Sequence, residues 1–215
     1  MKLRSRKEKV AKILIYIFYT VGIFGFLIPE FISFFKHLIP LTLLLSFILL
    51  VAFQPKKAID QSFIIVFSGI YLLGLMIEII GVNTGTVFGE YNYGSNLGFK
   101  LFNTPIIIGL NWLILVYTSS ALFEKLSINS IYKILLASVC MLGYDIVLEI
   151  IAPRIGMWNW NDIEVPLRNY LAWFIISLVF QAVIKGVGIK TENPIAKNLF
   201  VSQFIFFLVL SIFLQ

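Results

Sequence analysis

The chain has one cysteine and one histidine among its 215 residues, and only 13% of those residues are charged. Cys140 alone excludes an internal disulfide and any multi-cysteine metal centre. His37 alone excludes zinc, haem and di-iron centres built on several histidines. No Asp-Asp-x-x-Asp sequence occurs, so the magnesium motif of a prenyltransferase is missing. A soluble domain is about 25% charged. The shortage here, with 60% hydrophobic residues and a mean hydropathy of +0.95, marks an integral membrane protein. Its length fits one compact helical domain over residues 1–215, and neither an internal repeat nor a low-complexity tract interrupts it.

What is present is a series of long apolar runs. A spanning helix needs about 20 such residues. Seven segments qualify, at 10–28, 37–53, 62–80, 103–123, 131–150, 169–185 and 196–214, and they predict an all-α polytopic bundle of about seven transmembrane helices. Residues 1–28 have the basic start of a signal peptide. The run from Ile13 to Ile28 is too long for one, and no small-x-small cleavage site follows. The net charge of +6 comes mostly from Lys2, Arg4, Arg6, Lys7, Lys9 and Lys12. This cluster reads as a topology signal facing anionic headgroups and not as a nucleic-acid site. With the N-terminus in the cytoplasm of a cell-membrane protein, thirteen of the 17 basic residues fall on the cytoplasmic side. The two long polar loops, 81–102 and 151–168, then share the opposite side.

Three carboxylates close the apolar runs that lead to that side: Glu78, Asp145 and Glu149. Ionisable groups in hydrocarbon cost a few kcal/mol, on the order of 2.5 to 3.5 by insertion scales, and are usually functional. Asp145 and Glu149 are four apart and share one helix face. The first loop carries glycines at 81, 85, 89, 94 and 98 between Asn83, Thr84, Thr86, Glu90, Tyr91, Asn92 and Tyr93. It reads either as a cap folded over a pocket or as a solvated loop with an interfacial aromatic belt. The second loop places Trp158 and Trp160 just past a helix end, with the same belt as alternative. The Asp145/Glu149 pair also admits a structural reading, ion pairing with Arg154 or Arg168. The spacing of Gly81, Gly85 and Gly89 is that of a helix-packing motif, but the polar residues between favour a loop.

Three motifs follow one another between about residues 74 and 180. The first is Glu78-x-x-Gly81-x-x-Thr84-Gly85-x-x-Phe88-Gly89-x-Tyr91-x-Tyr93, with Leu97-Gly98, Pro105 and Asn111-Trp112 behind it. The second is Asp145-x-x-x-Glu149 with Gly156-x-Trp158-x-Trp160, and the third is Val165-Pro166-x-x-Asn169-Tyr170-x-x-Trp173-Phe174. In kind and order they resemble the membrane carotenoid biosynthesis proteins that hydrate acyclic carotenoid ends, the carotenoid 1,2-hydratases of the bisanhydrobacterioruberin hydratase type. Ile150, Val87 and Ala172 depart from the family's usual proline, proline and glycine, and none of these changes removes a proton donor.

The resemblance implies addition of water to a terminal trisubstituted C=C, without cofactor or metal, on a carotenoid that enters from the bilayer. Other carotenoid-pathway enzymes are then candidate partners, and nucleic acid is not. Protonation of the less substituted carbon gives a tertiary cation, water captures it, and a base takes up a proton. A carboxyl in an apolar pocket beside a second one suits the acid. Asp145 is expected as proton donor, with Glu149 or Glu78 orienting water. Tyr91, Tyr93, Trp158 and Trp160 are expected to stabilise the cation, at about 0.5–2 kcal/mol per dry cation–π contact. The motif tryptophans Trp112 and Trp173 join them. Asn83, Thr84 and Asn169 are expected to hold the water. A membrane isoprenoid cyclase would share the first step and trap the cation with a neighbouring double bond. A proton-coupled transporter or lipid-binding protein would use the carboxylates as a relay.

Overall fold

The computed structural model describes residues 2–162 and 164–214, with side chains from residue 6 onward. Eight helices follow the apolar runs: α1 (Lys2–Leu27), α2 (Pro29–His37), α3 (Ile39–Phe53), α4 (Gln61–Thr84), α5 (Ile107–Phe123), α6 (Ser130–Ile151), α7 (Leu167–Gly186) and α8 (Ala196–Phe213). Five of them, α1, α4, α6, α7 and α8, are long and apolar enough to cross a membrane. Their outward faces carry bare aliphatic side chains such as Ile64, Ile65, Leu72, Val139, Ile175 and Val179.

Two expected spans differ in detail. The second, expected at 37–53, is the distal part of a bent pair in which α2 and α3 meet at 56°. Pro29 and Pro40 both sit in the first turn of a helix, where the missing N–H costs nothing. Residues 29–36, which lie between the first two expected spans, are therefore helical from Pro29 on. The fourth, expected from residue 103, begins only at Ile107, because Thr104-Pro105 are drawn into a hairpin. The resulting α5 has 17 residues and is buried at every position from Ile108 to Ser120. A helix that is apolar all round belongs inside a bundle, and α5 packs against α3, α4, α6, α7 and α8.

The polar loops meet at one end. There α4 stops at Gly85, whose φ of 65° and N–H bond to Gly81 O make a left-handed C-cap. Strands β1 (Tyr91–Tyr93) and β4 (Trp158–Trp160) pair antiparallel, with Tyr91 opposite Trp160 and Tyr93 opposite Trp158. Between them in sequence, β2 (Lys100–Leu101) and β3 (Thr104–Pro105) form a tight hairpin turned by Phe102 and Asn103, both at positive φ. The β1–β4 join is continued by Gly94 N–H to Met157 O at 2.8 Å and by Asn96 Nδ2 to Ile155 O and Gly156 O, each at 3.2 Å.

A second polar network ties the opposite end. Lys185 forms an ion pair with Glu124, which also accepts from Thr191 Oγ1 at 2.6 Å. Burial alone would raise the Glu124 carboxyl. The bonds from Lys185 and Thr191 and the charges of Lys185 and Lys133 outweigh it and hold the group below the usual range.

Candidate active site

The β1–β4 ribbon has two faces, because side chains alternate along a strand. Asn92 and Asn159 point outward and are exposed. Tyr91, Tyr93 and Trp158 are buried and Trp160 is half-buried, all on the face turned to the bundle. Each strand thereby presents two polar tips to one carboxylate. The Tyr91 and Tyr93 hydroxyls donate to Glu78 Oε2 at 2.6 and 2.8 Å. The Trp158 and Trp160 indole N–H groups donate to Glu149 Oε2 at 3.0 and 2.7 Å. Tyr91 and Trp160 also pack with ring centroids 5.0 Å apart.

Helices complete the cluster. Trp112 Nε1 of α5 donates to Glu78 Oε1 at 2.9 Å, and its ring stacks on Trp173 of α7 at 4.0 Å. Asn169, in the first turn of α7, donates through Nδ2 to Asp145 Oδ2 at 3.0 Å and to Glu149 Oε1 at 3.4 Å. Asp145 Oδ1 has no hydrogen-bond partner among the described residues, although Asp145 is wholly buried. Glu78 lies within electrostatic reach of both other carboxyls. Burial first, and the charge of Glu78 second, raise the Tyr91 and Tyr93 phenols well above their ordinary value. Both therefore stay protonated donors through the neutral range. Their contribution is complete below pH of about 10 and is lost only as pH rises beyond it.

The first loop is thus folded onto the bundle, with Phe88, Tyr91, Tyr93 and Leu97 buried. Among the described residues no arginine, neither Arg154 nor Arg168, bonds the Asp145/Glu149 pair. Arg154 donates to Leu214 O at 2.7 Å, and the donors on the two carboxyls are neutral. Of the expected site residues, Glu78, Asp145, Glu149, Tyr91, Tyr93, Trp158, Trp160, Trp112, Trp173 and Asn169 converge. Asn83 and Thr84 do not join them. Both are exposed at the end of α4. Asn83 ties Ile79 O and Phe102 O, and the Thr84 hydroxyl turns back to Ile80 O and meets Thr86. Among the described residues no three His, Cys, Asp or Glu side chains converge as a metal would require.

Beside the cluster lies an apolar chamber of about 320 Å³, walled by α1, α2, α3, α5, α6, α8 and the second loop. Four of its lining residues, Asn111, Tyr144, Leu148 and Met157, immediately precede Trp112, Asp145, Glu149 and Trp158. The chamber and the carboxyl cluster therefore share one wall along α5 and α6. Sequence spacing had no signal for this chamber, because its lining comes from six helices with the same composition as lipid-facing surface.

Residues 37–215 match the family described as carotenoid biosynthesis protein. The chain belongs to that family. The match contains all three motifs and the whole carboxyl cluster. The chain is also 27% identical over 112 residues to bisanhydrobacterioruberin hydratase of Haloarcula japonica, an alignment that covers 46% of this chain and 36% of that protein. The chain thus spans about a third of the length of this curated relative. No solved structure matches it.

Proposed function

We propose that this carotenoid biosynthesis family member is a hydratase of the cell membrane that adds water across the terminal trisubstituted C=C of an acyclic carotenoid end. The observation that carries the reading is the unequal dressing of three buried carboxyls. Glu78 and Glu149 each accept from three N–H or O–H donors, whereas Asp145 accepts only from Asn169. An ionised carboxylate is an acceptor alone, and a protonated carboxyl carries its own donor. This pattern supports Asp145 as the acid, with its proton on the unpartnered Oδ1, and Glu149 and Glu78 as carboxylates.

In this mechanism Asp145 protonates the less substituted alkene carbon, and the π pair becomes the new C–H bond. The positive charge falls on the tertiary carbon, flanked by ionised Glu78 and Glu149 and by the aromatic faces of the ribbon. Such charges and π-faces favour a cation in a dry site. Water, held by Glu149 and Asn169, adds its lone pair to that carbon and gives a proton to Glu149. The product is a tertiary alcohol, and the site regains its state when the proton passes from Glu149 to Asp145. Each step is served by a side chain, without cofactor. The likeness to a hydratase supports water over a neighbouring double bond as the trap. The apolar chamber supports a substrate drawn from the bilayer, where other carotenoid-pathway enzymes would supply and consume it.

Expression in a host that accumulates acyclic carotenoids, followed by pigment chromatography, tests the reading. A more polar pigment heavier by one water is expected. An isomeric apolar pigment would indicate a cyclase. Unchanged pigment together with pH-coupled flux across vesicles would indicate a transporter.

A further inference from the structure

The chamber is largely apolar, and two of its polar lining residues are not used by the proposed reaction. Asn111 and Tyr144 both line it and are buried, at 9% and 2% exposure. Neither side chain has a hydrogen-bond partner among the described residues, and neither belongs to the carboxyl cluster. Asn111 stands on α5 next to Trp112, and Tyr144 on α6 next to Asp145. Their polar atoms are not fully enclosed, so they reach the chamber space, where a ligand can pair with them. A primary amide and a phenol together offer donors and acceptors. Of the other polar lining residues, Tyr19 is bonded to Ser46 and Thr42 to Leu38 O, and Gln203 has an enclosed, unpartnered Oε1; the rest, including Phe26, Phe35, Leu43, Leu148 and Phe206, is apolar.

We propose that this chamber is a binding site for the hydroxylated end of an acyclic isoprenoid. The alcohol donates to Asn111 Oδ1 and accepts from the Tyr144 hydroxyl, while the branched hydrocarbon fills the phenylalanine-lined space. The volume lies at the lower end of the small-ligand range of about 300–1,000 Å³, so it suits an end group and not a whole polyene. The shared wall on α5 and α6 places this site next to the carboxyl cluster, where the proposed hydration generates such an alcohol. The inference rests on the hydratase reading only for the source of that alcohol, and the chamber's preference for a hydroxyl is separately measurable.

The test uses the full chain in lipid nanodiscs and a saturated acyclic monoterpene tertiary alcohol, compared with the alkane of the same skeleton. Neither ligand has a double bond, so turnover plays no part. Calorimetric titration, with partition into empty nanodiscs subtracted, is expected to show the alcohol bound about tenfold more tightly than the alkane, a difference of about 1.4 kcal/mol. Tyr144→Phe, which keeps the ring, and Asn111→Leu are each expected to remove that preference and leave alkane affinity unchanged. Equal affinities in the wild type would overturn the proposal, as would a preference that survives in well-folded Tyr144→Phe. Absence of the preference in a wild-type protein that hydrates carotenoid ends would sink this inference alone. A retained preference without hydration would sink the hydratase reading alone.

Discussion

Asp145, Glu149 and Glu78 have the same chemistry but differ in their partners, and the roles proposed for them follow from those partners. Asp145→Asn replaces the one carboxyl with an unpartnered oxygen by a group that has no proton to give. Hydration is expected to fall about 10²–10⁴-fold, the usual worth of a general acid, with the protein still folded in membrane. Glu149→Gln is expected to fall comparably, because its amide cannot take the proton of the attacking water. Near wild-type turnover by both variants, measured as product per folded protein, would refute the acid–base assignment. The three carboxylates were legible in the sequence because charge at the end of an apolar run is rare. Their unequal hydrogen bonding was not, since it depends on Trp112 and Asn169 arriving from helices far away in sequence. Asn83 and Thr84 show the converse. Their residue types suit water binding, but their place at the last turn of α4 commits them to nearby carbonyls.

The ribbon of β1 and β4 is the element that joins the two motif-bearing loops. It is short, at three residues a strand, and its register decides which tips reach which carboxylate. Gly94 extends this join, and a Cβ there would collide with Gly156 O. Gly156 itself sits at a φ of +70°. Gly94→Ala is therefore expected to part the strands, weaken the donors to Glu78 and Glu149, and lower both turnover and thermal stability. A control at Gly143, where a Cβ meets nothing within 4 Å, is expected to change neither. Equal thermal midpoints and activities for the two variants would refute the ribbon's role. Glycines and aromatics left the first loop open between a cap and a solvated belt, and no pattern within either loop specified the pairing. The partner strands are over 60 residues apart, and each is too short to announce itself. The helices were easier to read, because apolar length alone predicts them. The exceptions were proline-bound ends, where Pro29 opens a helix in the gap between two expected spans.

For the whole molecule, the charge asymmetry and the meeting of the two loops carry an orientation. With the N-terminus cytoplasmic, the ribbon faces the other compartment. Asn92, exposed on the ribbon, and Lys57, exposed in the turn before α4, lie in loops assigned to opposite sides. In a background with Cys140 replaced by serine, Asn92→Cys is expected to react with a membrane-impermeant maleimide in intact cells. Lys57→Cys is expected to react only after the membrane is opened. Labelling of both from one side would refute the topology. The same scale explains how a chain with one histidine and one cysteine can hold a buried polar cluster: the bundle gathers carboxyls, indoles, phenols and an amide from four helices and two loops. The most direct test of the central claim is turnover by purified protein on an acyclic carotenoid in heavy-oxygen water. The account predicts a tertiary alcohol that carries one heavy oxygen, formed by the wild type and absent with Asp145→Asn. An isomeric hydrocarbon product, or a pigment that never acquires the label, would contradict it.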